Sequence, residues 1–271
     1  MTIFVKDPYG VICIFVTYLS IFYADYAVIK WVIIYTMQNS AWGSFNIILF
    51  NLIILLLMIA HVKAVCSDPG IVPLPQNKVD FSDMYSGSKD HDIDTNWTVC
   101  AKCETYRPPR AHHCRTCKRC IRRMDHHCPW INNCVGERNQ KYFIQFLMYV
   151  GALSIYSVIL ILASWFKDCP DCSQDVVEQE RRIMHCIVLA IESVLFGILV
   201  IAMLSVQLQG IFGDETGIEQ IKNQGRYRPI KPKYVLLSEV CGRTHPIFWL
   251  FPCDKSKTKK YYDIPLLSHD V

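Results

Sequence analysis

The sequence predicts an all-α polytopic membrane protein in which four transmembrane helices carry a Cys-rich domain between the second and the third. Two observations predict it: apolar residues, 52% of the 271, fall into four long blocks, and seven of the fourteen cysteines fall into one short segment. With 19% charged residues the chain is too apolar for disorder, and a net charge of +4 over its whole length is too weak to argue for a nucleic-acid partner.

The blocks run over 11–37, 45–65, 142–166 and 183–208. Each matches or exceeds the roughly 20 apolar residues that cross a bilayer as a helix. The second is the purest, with no charge from Phe45 to Ala60. Asp25 and Lys30 interrupt the first and Glu192 the fourth. Ionisable residues inside a span are functional candidates, with snorkelling and polar contacts between helices as the plainer alternatives. The first block is long enough to stay in the membrane as an anchor, and no small-residue cleavage site follows it.

Orientation follows from the basic residues, because cytosolic loops hold the excess of Lys and Arg. The connector 66–141 has twelve and the tail 208–271 has ten, whereas 38–44 has none and 167–182 has three against five acids. Four spans place both basic segments on one side, so both termini and the cysteines are expected to be cytosolic. Cytosolic thiols stay reduced, and clustered cysteines there read as metal ligands or nucleophiles. The Cys169–Cys172 pair falls in the opposite loop, where a small disulfide or two free thiols are equally compatible with the sequence. The sequon at Asn96 is expected to be unused, since it stays on the cytosolic side.

The organisation is then 1–65 for the N-terminus and first two helices, 66–99 for an acidic linker opening with Asp68-Pro69-Gly70, 100–141 for the Cys-rich domain, 142–208 for the last two helices and 209–271 for the tail. The Cys-rich domain offers Cys100, Cys103, Cys114, Cys117, Cys120, Cys128 and Cys134 with His112, His113, His126 and His127. Structural zinc takes four Cys or His ligands, commonly delivered by Cys-x-x-Cys turns, and three such spacings occur here. Two Cys3His sites consume six cysteines and two histidines and leave one cysteine over. The spacing does not say which eight residues ligate, nor whether the two sets interleave.

Cys128 is the candidate for the remaining thiol, because Asp125, His126 and Cys128 supply an orienting acid, a base and a nucleophile within four residues. A thiolate is the natural attacker of a thioester, since exchange of one sulfur for another is nearly balanced in energy. Here the string Asp125-His-His-Cys128, set in Cys100-x2-Cys103-x9-His113-Cys114-x2-Cys117-x2-Cys120-x4-Asp125 with Cys134 beyond, resembles the DHHC family of protein S-acyltransferases (palmitoyltransferases). Asp68-Pro-Gly70 and the four spans extend the resemblance over most of the chain.

The resemblance implies one zinc on Cys100, Cys103, His113 and Cys120 and a second on Cys114, Cys117, His127 and Cys134. It implies that Cys128 takes a fatty acyl group from acyl-CoA (palmitoyl-CoA), with His126 as base and then acid and Asp125 orienting it. The acyl group then passes to cysteines of membrane-associated proteins. Arg110, Arg115, Lys118, Arg122 and Arg123 are candidate contacts for coenzyme A phosphates, or for anionic headgroups of the bilayer. In the family the acyl chain lies among the spans, and Leu153 on the third is the candidate for limiting its length, beside ordinary helix packing. Thr216-Gly217-Ile218-Glu219 departs from the family's Thr-Thr-x-Glu pattern, so Asp125 is expected to find a partner other than that second threonine, with Thr216 and Glu219 as candidates. The surrounding sequence resembles Golgi-type members, which implies a Golgi membrane, or an ER membrane. Ser238-Glu-Val-Cys-Gly242 followed by Pro246, Phe248, Trp249 and Phe251 looks like the family's aromatic C-terminal element, and Cys241 and Cys253 in this tail are either buried thiols or acylation sites. Two rival functions are a catalytically silent zinc-bearing membrane adaptor and a metal transporter using Asp25 and Glu192. The scarcity of acids and histidines inside the spans counts against the second.

Overall fold

The computed structural model describes residues 5, 7–38, 40–75, 97–166, 175–223, 225 and 228–253. The Cys169–Cys172 pair and Asn96 lie outside the described residues. Four helices are long and apolar enough to cross a membrane: α1 (Pro8–Met37), α2 (Ala41–Cys66), α3 (Gln140–Trp165) and α4 (Val176–Gly213). α1 starts where Asp7 accepts the Tyr9 amide and Pro8 needs no hydrogen-bond acceptor, and a π segment, Val28–Ile34, interrupts it near its far end. Ser40 caps α2 through the Trp42 amide. α4 is the longest at 38 residues because the charged turn Glu178–Arg182 continues the helix beyond its apolar stretch.

α3 packs against both α2 and α4 and is the central helix of the bundle. Lipid is as apolar as leucine, so polar pairs and close packing hold such helices together. The Tyr156 hydroxyl donates to Asn46 Oδ1 (2.6 Å) and Arg182 donates to the Ser164 carbonyl (3.0 Å). Phe15, Ile48, Ile155 and Leu195 stand exposed on the outside of the bundle, as lipid-facing residues must.

The Cys-rich domain consists of three two-stranded hairpins: β1 (Thr98–Cys100) with β2 (Thr105–Arg107), β3 (His112–Cys114) with β4 (Arg119–Ile121), and β5 (His126–Cys128) with β6 (Asn133–Val135). Asparagines dock it on the bundle. Asn133 Nδ2 donates to the carbonyls of Ala64, Val65 and Ser67 (3.0–3.2 Å), which the end of α2 would otherwise leave unpaired. Asn139 Nδ2 donates to the Cys134 carbonyl (2.8 Å). At the exit from α2, Asp68 Oδ1 accepts the amides of Gly70 and Ile71 (2.8 Å each), and Gly70 adopts φ +109°, which side chains rarely tolerate. After α4 come the short helices α5 (Gly217–Ile221) and α6 (Lys233–Cys241). Beyond them the segment to Cys253 lies along α3, where Lys141 and Gln145 donate to the carbonyls of Cys253, Trp249 and Phe251.

Candidate active site and metal centres

Hairpin geometry sorts the ligands. Successive strand residues face opposite sides, so His113 and Cys114 serve different clusters although they are neighbours in sequence. His113 lies directly across from Cys120, and His127 across from Cys134. The structure brings together Cys100, Cys103, His113 and Cys120 in one cluster and Cys114, Cys117, His127 and Cys134 in another. The first ties hairpin one to hairpin two, and the second ties hairpin two to hairpin three.

The donor sets fit zinc. A tetrahedron with metal bonds of about 2.0–2.3 Å has edges of about 3.3–3.8 Å. His113 Nδ1 lies 3.6, 3.2 and 3.9 Å from the sulfurs of Cys100, Cys103 and Cys120. His127 Nδ1 lies 3.8, 3.4 and 3.6 Å from those of Cys114, Cys117 and Cys134. The other nitrogen of His127 faces Asp7 Oδ2 at 3.8 Å, the side on which a metal-bound histidine is commonly oriented by a carboxylate.

The same alternation turns His126 and Cys128 to one face of β5 and His127 to the other. His126 Nδ1 donates to Asp125 Oδ2 (2.7 Å). Its Nε2 is buried without a hydrogen bond. Burial alone would pull His126 down, but the Asp125 carboxylate and neighbouring Cys128 outweigh it, and the imidazole is pushed up to about 9. A proton removed from Cys128 therefore has a stable place on His126. Phe143 meets the imidazole edge to face at 5.4 Å and walls one side of the site.

Asp125 is buried at 8% exposure, and its carboxylate is saturated. Gly217 N–H donates to Oδ1 (2.6 Å) and Gln207 Nε2 to Oδ2 (2.8 Å). Burial raises its carboxyl, but His126 and these two donors more than reverse that and hold it below the usual range. The backbone amide of Gly217 stands where the Thr-Thr-x-Glu pattern has its second threonine. Thr216 and Glu219 act through a capping box, in which Thr216 Oγ1 accepts the Glu219 amide and Glu219 Oε2 accepts the Thr216 amide (2.7 Å), fixing the direction of the Gly217 N–H.

Among the basic candidates the structure separates Arg110 from the rest. Its guanidinium is 6% exposed and grips Glu219 with two bonds of 2.8 Å and Asp214 with one of 3.1 Å. It locks the tail onto the Cys-rich domain. Arg115 and Lys118 are exposed on the turn of hairpin two, Arg122 is half-buried, and Arg123 is half-buried with Asp214 at 3.8 Å.

Cys128, 4% exposed, opens onto a cavity between the spans. Trp130, Phe143, Phe146 and Leu147 line its upper part, and Leu153 lines it farther along α3. Two positioning residues were not apparent from sequence. Gln207 sits in the last turns of α4. His61, fully buried in α2, donates through Nε2 to the Trp130 carbonyl (3.0 Å) and accepts from the Tyr18 hydroxyl (3.2 Å), tying down the turn that follows Cys128. The available signal was a hydrogen-bonding side chain at the end of an otherwise apolar span that adjoins the Cys-rich domain.

Residues 93–224 match the family model described as DHHC palmitoyltransferase. The chain is 36% identical over 265 residues to palmitoyltransferase ZDHHC3 of Rattus norvegicus, covering 95% of this chain and 86% of the relative. It is 32% identical over 257 residues to palmitoyltransferase ZDHHC7 of the same species, covering 92% and 80%. Against the probable protein S-acyltransferase 15 of Arabidopsis thaliana it is 42% identical over 132 residues, 49% of this chain and 50% of the relative. The chain belongs to the DHHC palmitoyltransferase family.

Proposed function

We propose that this protein moves a palmitoyl group from palmitoyl-CoA to cysteines of membrane-associated proteins through an acyl-Cys128 intermediate. The observation that carries the reading is the position of Cys128: its thiol stands at the head of an apolar cavity between the spans, beside the unpartnered Nε2 of His126. In the first half-reaction His126 takes the Cys128 proton, sulfur attacks the thioester carbonyl, and the carbon–sulfur bond to coenzyme A breaks. The coenzyme A thiolate leaves with the proton from His126. In the second, His126 deprotonates the substrate thiol, which attacks the acyl-Cys128 thioester, and Cys128 departs and is reprotonated. Asp125 keeps the imidazole oriented throughout, and Phe143 and Trp130 exclude water.

Zinc, when bound at the two clusters, supplies structural cross-links that the short hairpins cannot obtain from a core of their own. Arg115, Lys118, Arg122 and Arg123 remain the candidates for coenzyme A phosphates or anionic lipid; the ion pairs of Arg110 assign it to the tail. The charge distribution supports cytosolic termini and a cytosolic site, and the resemblance to Golgi-type members supports a Golgi membrane.

The test is intact mass of the detergent-purified protein after palmitoyl-CoA, before and after neutral hydroxylamine. One palmitoyl adduct removed by hydroxylamine is expected, and its absence from folded, zinc-loaded protein would favour the silent adaptor.

A further inference from the structure

Two polar side chains on the outside of the bundle face lipid. Asp25 of α1 is half-buried and Asn51 of α2 is exposed, and Asn51 Nδ2 donates to Asp25 Oδ1 (3.3 Å) and to the Ile47 carbonyl (3.1 Å). Both amide hydrogens of Asn51 are thereby engaged, and among the described residues Asp25 Oδ2 and Asn51 Oδ1 accept no hydrogen bond. The pair lies about 18 Å along α1 from Met37 and about 15 Å along α2 from Ala41, near the middle of a hydrocarbon core about 30 Å thick. Acidic side chains in spans ordinarily turn inward, as Glu192 does toward the cavity. Lys30, the exposed cation five residues farther along α1, holds its ammonium over the rings of Tyr26 and Trp31 (5.5 and 5.0 Å). Steps of seven residues put Val11, Tyr18 and Asp25 on one flank of α1 and Asn51, Met58 and Val65 on one flank of α2. Nearer the Cys-rich domain these flanks border an apolar groove, with Ile14 and Tyr18 on one wall and Val62 and Val65 on the other. His61, which also lines it, donates to the Trp130 carbonyl two residues after Cys128.

We propose that the seam between α1 and α2 binds the transmembrane helix of a protein substrate, and that Asp25 and Asn51 select a helix carrying Lys or Arg at mid-span. The proposal rests on Cys128 carrying the acyl group. Lipid tails can fill the apolar groove, but they bring no donor to two acceptors at mid-depth. Lys and Arg offer donors only, and so match a site that presents only acceptors and an acidic group. Inside hydrocarbon the basic residue and the acid are each costly alone, and pairing them removes both costs at once. A second copy of this chain, related by an axis along the membrane normal, brings its own Lys30 about 7.5 Å out of register in depth and already placed over aromatic rings. A helix lying in the seam leaves the membrane beside the turn that follows Cys128, which carries a cysteine just outside the bilayer toward the acyl-enzyme.

The experiment places the full-length protein in phosphatidylcholine nanodiscs with polyleucine helices of about 23 residues, each ending in a cysteine just outside the membrane. One helix has a central Lys, one has its Lys about two turns nearer an end, and one has none. Transfer from palmitoyl-CoA to each peptide is read as kcat/KM, acyl-enzyme by intact mass, and association by energy transfer between labelled peptide and labelled protein. The central Lys is expected to raise transfer about tenfold over the other two peptides, the scale of a polar contact between membrane helices. Asp25→Leu is expected to lose that preference while acylating the peptide without Lys at the wild-type rate. A folded Asp25→Leu that keeps the preference overturns the proposal. Should that variant not fold, equal transfer to all three peptides by the wild type overturns it on its own. No acyl-enzyme on the wild type would remove the reading of Cys128 instead, and energy transfer then decides the docking alone: selective association of the central-Lys helix upholds the seam, and equal association of all three overturns it.

Discussion

Hairpins two and three carry the same triplet in the same register and do different chemistry with it. His112-His113-Cys114 pairs with Ile121, Cys120 and Arg119, and His126-His127-Cys128 pairs with Val135, Cys134 and Asn133. The middle histidine of each enters a metal cluster. The third residue does not behave alike: Cys114 has Cys117 three residues on and closes a cluster with it, whereas Cys128 has Ile131 there and is left as a thiol facing the membrane cavity. The first histidines diverge further. Ala111 precedes His112, which burial and then the cations of Lys222 and Arg107 push down to about 4. Asp125 precedes His126, which is pushed up to about 9 despite its burial. Two differences, an acid before the triplet and a missing cysteine after it, separate a zinc knuckle from a candidate nucleophile. The repeat, fourteen residues apart, is also the signal in the sequence that shows why one cysteine is left over.

The comparison can be broken most severely at Cys114. Cys114→Ser is expected to empty the second cluster and unfold the Cys-rich domain, since a structural zinc site contributes about 10 kcal/mol or more of folding energy; zinc content and protease resistance measure it. Asp125→Ala makes hairpin three resemble hairpin two. Single-turnover acylation should fall by about 10²–10⁴-fold with two zinc ions retained, and a loss under tenfold would mean that His126 does not need its carboxylate.

Gly217 probes the partner that replaces the threonine. Proline is tolerated at this first helical position but removes the N–H that Asp125 accepts, so Gly217→Pro should slow acylation about tenfold, the scale of one charge-assisted hydrogen bond. Gly217→Thr, whose Cβ would come no closer than 3.4 Å to Asp125, should stay near the wild-type rate. The smallest effect is expected from His112→Gln, which should leave acylation within about twofold because nothing in hairpin two uses that ring as a base.

The spans were legible as apolar blocks, but their ends were not. The apolar run of the fourth starts at Ile183, whereas α4 begins at Val176, because a helix continues through Glu178–Arg182 once no hydrocarbon surrounds it. The grouping of Asp125, His126 and Cys128 was legible because they fall within four residues, Asp125 directly before β5 and the other two on one face of it. What could not be read were the contacts made across the fold. Gln207 reaches Asp125 over 82 residues and His61 reaches Trp130 over 69, and a single polar side chain in an apolar run does not announce its partner. Arg110 looked like its basic neighbours because the carboxylates that hold it, Asp214 and Glu219, lie more than a hundred residues away.

The most direct test is to measure zinc content and palmitoyl adduct on the same preparation of Cys128→Ser. The account predicts two zinc ions per chain and no hydroxylamine-labile adduct. A loss of zinc matching that of Cys114→Ser, or an adduct that persists, would show that Cys128 is a ligand or a bystander and would contradict the assignment of the acyl group to this thiol.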